Sequence, residues 1–207
     1  MIFLEAYNLS YSYQGKKILK DVFFSCSSGE RVSIIGSSGA GKSCFLSLLC
    51  GLIKPSSGQV ICRGSEIVKL RDRSIIGYIP QEDIFLGFDS ALYNALLSLE
   101  LKKRSESAKY EGFVREMLAF LEISPDARPY ELSGGEKRRL SIIRALATRP
   151  IILVADEWAA GLDPSNQAKV CSLFEECSSV IFVSHDPKNI WRCHRTYQME
   201  QGHLLPI

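Results

Sequence analysis

The spacing of apolar and polar positions divides the chain into three stretches. At the start, "IFLEAYNLSYSY" (2–13) and "KKILKDVFFSC" (16–26) read as two opening strands joined by a turn at Gln14-Gly15. "RVSIIG" (31–36) is a short apolar strand that runs into a glycine-rich loop. A helix is expected from Lys42 to about Leu52, ended by "KPSSG", with further short strands at "QVIC" and "IIGYIP". From Asp83 to Arg149 the pattern turns helical, in "ALYNALLSLELKKR", "FVREMLAFLEI" and "EKRRLSIIRALATR". Strands return as "IILVA" (151–155) and "VIFVS" (180–184), with a helical pattern between them. Strands alternating with helices favour an α/β domain with a mainly parallel core. The expected organisation is a single domain over 1–207. Its sheet-containing core takes about 1–81 and 151–207, and a helical subdomain takes about 82–150.

Composition narrows the class. The chain has 207 residues, 46% hydrophobic and 23% charged, a balance that fits neither a disordered nor a membrane-spanning protein. No apolar run approaches the roughly 18 residues of a membrane-crossing helix. A formal net charge of +2 gives no argument for nucleic acid or an anionic membrane. The opening "MIFLEAYNLSYSY" lacks the basic start and cleavage site of a signal peptide. Seven cysteines without a C-x-x-C pair suggest free thiols in a reducing compartment, so a cytoplasmic location is expected. Cys193 and His194 are adjacent, but no second pair completes a metal site.

The candidate chemistry begins with "GSSGAGKS" (36–43), which matches G-x-x-x-x-G-K-[ST] between a predicted strand and a predicted helix. Across Gly36, Ser37, Ser38, Gly39, Ala40 and Gly41, backbone N–H groups can turn inward around phosphate oxygens. The following helix N-terminus adds partial positive charge. Lys42 would reach the β- and γ-phosphates, and the Ser43 hydroxyl would ligate Mg²⁺. The loop therefore predicts a bound nucleoside triphosphate. "IILVADE" gives an apolar strand ending in Asp156 and Glu157. Beside a phosphate loop, Asp156 suits a Mg²⁺ partner, and Glu157 could orient or deprotonate the attacking water. Such a base contributes ~10²–10⁴-fold in rate. Taken alone, the pair could equally be two surface acids capping a strand.

"GSSGAGKS", "LSGGE", "IILVADE", "GLD" and "FVSHD" occur along the chain in this order. With them the chain resembles an ABC-type ATPase, the nucleotide-binding subunit of an ABC transporter, from Tyr13 to about Gly202. The resemblance implies a phosphate-loop NTPase of ABC type, with a mixed sheet core and a helical subdomain. It implies ATP and Mg²⁺ as cofactors. It also implies hydrolysis of ATP to ADP and phosphate, coupled to transport through a separate integral membrane subunit. Two cassettes, expected to be identical, would pack head to tail, with each ATP between one phosphate loop and the partner's "LSGGE". Ser133, Gly134 and Gly135 would then meet the γ-phosphate in trans. Ser133-x-x-Glu136 is also a capping box that needs no ligand, and both could hold in turn.

By the same resemblance, Gln81 would sense Mg²⁺ and the attacking water, and His185 would hydrogen-bond the γ-phosphate. Asp163 would belong to the loop that crosses the dimer interface, and Tyr13 would stack on adenine. Taken alone, Gln81 is a polar turn residue. Tyr11 shares the strand parity of Tyr13, and either could be core packing. Lys137, Arg138 and Arg139 read as a solvated helix face, and Leu140, Ile143 and Ala147 as a core stripe. Departures from the family pattern fall at Trp158 and Ala159, at Ala160, and at Cys44, whose thiol would be a weak donor to the α-phosphate.

For partners, Ile84, Phe85, Leu86 and Phe88 lie where the family forms a groove for a coupling helix of the membrane subunit. They could instead be the core of the helical subdomain. The protein would sit peripherally on the inner face of the cell membrane, without nucleic acid. "SGGE" with "VADE" resembles the group serving lipoprotein release, macrolide-type efflux and cell division. No C-terminal regulatory domain is expected after "GHLLPI". Two other classes stay open: an ABC ATPase acting on ribosomes or chromosomes, and a low-turnover regulatory cassette suggested by Trp158 and Ala160. The first usually carries two cassettes or a coiled coil, and this chain shows one cassette and no heptad run.

Overall fold

The structure, a computed structural model, describes residues 2–70, 73–100, 107–183 and 193–207. Its strands in chain order are β1 (Ile2–Tyr13), β2 (Lys16–Ser27), β3 (Arg31–Ile35), β4 (Ser57–Cys62), β5 (Ser65–Glu66), β6 (Ile76–Ile79), β7 (Ile152–Asp156), β8 (Ser179–Val183), β9 (Arg195–Glu200) and β10 (His203–Pro206). The helices are α1 (Lys42–Leu49), α2 (Ala91–Glu100), α3 (Ser107–Phe120), α4 (Gly134–Leu146) and α5 (Pro164–Phe174).

Two sheets form. One is antiparallel in the order β2-β1-β4-β5, and the other has the order β10-β9-β3-β8-β7-β6. In the larger sheet every pairing from β9 through β6 is parallel, and only β10 runs antiparallel, on β9. The expected mixed, mainly parallel core is therefore present. β7 and β8 are buried at every position because both faces of the sheet are covered. Alternate residues divide between the faces. Ile152, Val154, Ile181 and Val183 pack with β1, β2, β4 and Phe45 and Leu49 of α1. Leu153, Ala155, Val180 and Phe182 pack with α2 to α5. The fold is thus three-layered.

Backbone turns explain most boundary differences. α1 stops at Leu49, short of the expected Leu52, because Gly51 is left-handed at φ 66°. α4 begins at Gly134 and ends at Leu146, with Arg149 left-handed at φ 49° just beyond. α3 starts at Ser107, ahead of the expected Phe113, and Glu122 at φ 58° closes its end. The expected continuation of the preceding helix to Arg104 runs into residues 101–106, outside the described residues.

β9 and β10 have no counterpart among the elements expected from the sequence. Their two-residue turn, Gln201-Gly202, repeats the Gln14-Gly15 turn of the first hairpin, with both residues of each pair at positive φ. A Gln-Gly pair flanked by alternating residues was the available signal.

Leu140, Ile143 and Ala147 are fully buried, as their spacing predicts. Trp158 is also buried, with its ring edge-on to Phe174 at 5.2 Å between centroids. This departure from the family pattern is a core-filling residue. Trp158→Ala is expected to cost about 3–5 kcal/mol, by the usual cost of emptying a large aromatic site. Urea denaturation followed by circular dichroism checks this, and Trp158→Phe should lose much less.

Candidate functional site

The parallel register brings four strand ends level along one edge of the sheet. Ile34 pairs with Val183, Val183 with Asp156, and Ala155 with Ile79. The glycine loop leaves β3 at this edge, the Asp156-Glu157 pair ends β7 there, and Gln81 comes just after β6. Crevices outside the carboxyl ends of parallel strands are where such sheets bind ligands.

The glycine loop is shaped by sterics. A Cβ on Gly36, at φ 151°, would lie 2.3 Å from the Met199 carbonyl oxygen of β9. Gly41, at φ 106°, caps α1 without any side-chain acceptor for the helix's first N–H groups. Those groups, and the helix dipole behind them, are available to an anion. Ser37, Ser38 and Gly39 are exposed on the loop, Ala40 is tucked beneath it, and Ser43 is exposed at the start of α1. Cys44 is half-buried, and burial pushes its thiol pKa up.

Lys42 is only 6% exposed and folds back over the loop, its Nζ donating to the carbonyls of Gly36 and Ser37 at 2.8 Å each. Burial lowers its pKa, while the charges of Glu157 and Asp156 work against that shift. Asp156, 1% exposed, is its counterpart. Among the described residues, neither carboxylate oxygen accepts a hydrogen bond of full geometry. Burial raises its pKa and Glu157 adds to the rise, while the Ser43 hydroxyl, Lys42 and Arg138 hold it down in part.

Two buried carboxylate oxygens, incompletely satisfied and near a serine hydroxyl, form a hard-oxygen set that suits Mg²⁺. Among the described residues, no group of three or more His, Cys, Asp or Glu side chains could hold a metal. A cation here would have to take further ligands from phosphate and water.

Glu157 comes next in the chain, half-buried, and its backbone is left-handed at φ 50°. That region costs a non-glycine residue about 1–3 kcal/mol and persists only where its surroundings enforce it. The Glu157 N–H donates to the Val183 carbonyl at 3.2 Å, and its own carbonyl accepts from the Ala160 N–H at 3.1 Å. The residue pattern around Glu157 carries no sign of this backbone.

Arg138 corrects the expectation of a solvated face. It is 3% exposed, and Lys137 and Arg139 are half-buried. Its guanidinium donates to the Asp156 carbonyl at 2.6 Å, the Trp158 carbonyl at 3.1 Å, the Pro80 carbonyl at 2.6 Å and Asp83 Oδ1 at 3.0 Å. Helical periodicity puts position 138 on a flank between polar neighbours, and only the packing of β6 and β7 against α4 turns it inward.

Ser133 caps α4 with a complete capping box. Its hydroxyl and N–H both bond Glu136 Oε2, at 2.6 and 2.8 Å, and the Glu136 N–H returns to Ser133 Oγ at 3.3 Å. These bonds lower the Glu136 pKa. Ser133 and Gly134 are exposed, and a Cβ on Gly135 would sit 3.1 Å from the Gly161 carbonyl. Asp163 is likewise an exposed helix cap, accepting from the Asn166 N–H at 3.0 Å, and that bond leads the causes that lower its pKa. Ala160 is exposed beside it.

Tyr13 is 60% exposed at the end of β1, whereas Tyr11 is partly buried against the core. Tyr13 is the last residue of β1 and pairs with Lys16 beside the turn, which leaves it more open than Tyr11 of the same parity. Gln81 is exposed after β6. His185 falls in 184–192, outside the described residues. His194 uses Nδ1 to accept from the Arg31 N–H at 3.0 Å.

The segment after Gln81 is apolar yet turned outward. Phe88 is 90% exposed and Ile84 70%, with Leu86 exposed between them. Phe85 alone packs inward, beneath the Arg144 guanidinium at 4.9 Å. A fully buried Asn94 holds this loop: Oδ1 accepts from the Leu86 N–H at 2.8 Å, and Nδ2 reaches the carbonyls of Leu86, Asp89 and Ser90. Arg144 donates to the Ile84 carbonyl at 2.6 Å. Among the described residues, no helix is long and apolar enough to cross a membrane.

Comparison with known proteins agrees with this geometry. A family model described as "ABC transporter" matches residues 19–160. The chain is 34% identical to the lipoprotein-releasing system ATP-binding protein LolD of Aquifex aeolicus, over 98% of this chain and 96% of the relative. It is 31% identical to the lipopolysaccharide export system ATP-binding protein LptB of Escherichia coli K12, over 99% of this chain and 90% of the relative. Among solved structures it is similar to a dimeric, post-hydrolysis state of the ATP-binding cassette MJ0796 bound to ADP and Pi. That match has a TM-score of 0.85 and 30% identity, over 97% of this chain and 96% of the other.

The buried carboxylate yields a test. The folded protein holds the Asp156 proton more tightly than the unfolded chain does. This residue's contribution to stability is therefore fullest in acid and is lost as the pH rises through its raised folded pKa. Asp156→Asn should then raise Tm of the nucleotide-free protein at pH 7, by about 2–4 °C per kcal/mol recovered. The gain should shrink towards acid pH. Thermal melts across pH check both parts.

Proposed function

Because this chain belongs to the ABC transporter ATP-binding family, we propose that its strand-end crevice is the ATP site and that Glu157 is the base. The protein is an ATP-binding, ATP-hydrolysing cassette that drives transport through a membrane subunit. The observation that carries the site assignment is the buried Asp156 carboxylate, whose oxygens have no hydrogen bond of full geometry among the described residues, next to a lysine curled over an uncapped helix end. In this reading the loop N–H groups from Gly36 to Cys44 and the α1 terminus hold the phosphates. Lys42 exchanges its two carbonyl partners for phosphate oxygens. Tyr13, the exposed tyrosine, lies against the adenine.

Asp156 and Ser43 would hold Mg²⁺, aided by Gln81, and the cation would supply neutralisation of phosphate charge. Glu157 accepts the proton of the attacking water. His185 contacts the γ-phosphate by resemblance alone. Ser133, Gly134 and Gly135 close over the nucleotide of a second, identical cassette, and Asp163 lies along that contact. The capping box supports this reading in a specific way. Ser133 has a resting partner in Glu136, so its hydroxyl can leave for phosphate while Glu136 still accepts from the Ser133 N–H. The region about 82–150 is read as the helical subdomain that presents this turn.

The apolar loop carries the membrane partner. Ile84, Leu86 and Phe88 are exposed on a segment fixed by Asn94 and Arg144, a preformed surface suited to a helix from the membrane subunit. The protein would sit on the inner face of the membrane through that contact. The outward-facing side chains support this reading over a core role.

Steady-state hydrolysis tests the site. Glu157→Gln should lower kcat by about 10²–10⁴-fold while retaining ATP binding. Wild-type turnover in that variant contradicts the assignment of the base. For the partner, a folded Phe88→Glu variant should no longer co-purify with the membrane subunit, and undiminished co-purification contradicts the docking surface.

A further inference from the structure

Arg138 belongs to none of the roles above, yet its guanidinium is engaged by four acceptors inside the protein. Its partners fall into two sets. The carbonyls of Asp156 and Trp158 belong to the residues on either side of Glu157. The Pro80 carbonyl and the Asp83 carboxylate bracket Gln81. A single planar guanidinium thus spans the two turns that leave β7 and β6. Asp83 shares the buried environment as an ion pair with Arg138, their side chains 17% and 3% exposed.

The spacing is specific to a planar fork. Nε and Nη2 reach two carbonyls two residues apart, and Nη1 serves both remaining acceptors. A lysine ammonium is a point donor and cannot span these positions. Between the two carbonyls on β7's exit lies Glu157, in a left-handed backbone that its own side chain does not favour. Pinning the carbonyls of both flanking residues keeps this residue in that conformation. α4 itself carries Ser133 at its start, and Arg144 on the same helix holds the Ile84 carbonyl.

We propose that Arg138 is a positioning residue for hydrolysis, which aims the Glu157 carboxylate by fixing the carbonyls of the residues on both sides of it and locking them to the Pro80–Asp83 turn. It touches neither nucleotide nor water and acts through Glu157. The inference rests on the reading of Glu157 as the base.

The test compares wild type with Arg138→Lys and Asp83→Asn, measuring kcat and KM for MgATP on protein checked for folding by thermal melt. The expected result for Arg138→Lys is a fall in kcat of roughly 10²-fold, the scale of a small misplacement at a reacting centre. KM should be unchanged. Asp83→Asn loosens only the ion pair and should lower kcat less, again without moving KM. If Arg138→Lys does not fold, Asp83→Asn decides by the same criterion.

Wild-type kcat overturns the proposal. So does a kcat loss accompanied by a matching rise in KM, which marks general distortion of the nucleotide pocket. Glu157→Gln measured alongside separates the two readings. If that variant turns over at the wild-type rate, the base assignment fails on its own evidence, whatever Arg138 does.

Discussion

Taking a carboxylate out of water costs several kcal/mol unless other groups replace the lost hydration. At Asp156 no donor among the described residues fully replaces it. The surrounding architecture explains how this is tolerated. β7 is covered on both faces, so its last residue is buried wherever its side chain points. Lys42 is held close by two carbonyls, and its charge offsets part of the burden. The arrangement is poorly satisfied by itself and well suited to a cation and phosphates. Stability at this edge of the sheet is given up for a site that binding can complete.

Much of this is legible in the sequence, for identifiable reasons. Strands with four apolar residues in a row, such as β7 and β8, reveal themselves by composition. The G-x-x-x-x-G-K-[ST] spacing survives because only glycine fits where the Gly36 backbone meets Met199. The Ser133 capping box is readable because it is local, spanning residues three apart. Long-range effects are not readable. Arg138 looks solvated because helical periodicity cannot see that β6 and β7 close over it. The tyrosines at 11 and 13 share a parity yet differ in exposure, because strand parity does not show that Tyr13 stands at the very end of β1. β9 and β10, short and partly polar, escape the pattern although their Gln-Gly turn matches an earlier one.

The departures at 158–160 acquire different meanings in three dimensions. Trp158 is structural: its ring fills the core against Phe174, and its carbonyl accepts from Arg138. It therefore joins the helical layer to the turn holding Glu157. Ala160 is exposed and its N–H closes the turn on the Glu157 carbonyl, a bond that needs no side chain. Neither change disturbs Lys42, Asp156 or the loop. This agrees with membership of a family whose solved relatives include a cassette caught with ADP and Pi.

If Asp156 is left unsatisfied for a metal–nucleotide pair, the pair should be visible on it. The most direct measurement is a crystal structure of the Glu157→Gln variant grown with MgATP. The expected result has the cation between Ser43 Oγ and Asp156, the γ-phosphate against Lys42, and the Ser133 turn of a second copy on the same nucleotide. Nucleotide bound elsewhere, or bound in the loop with Asp156 still without a partner, would contradict it.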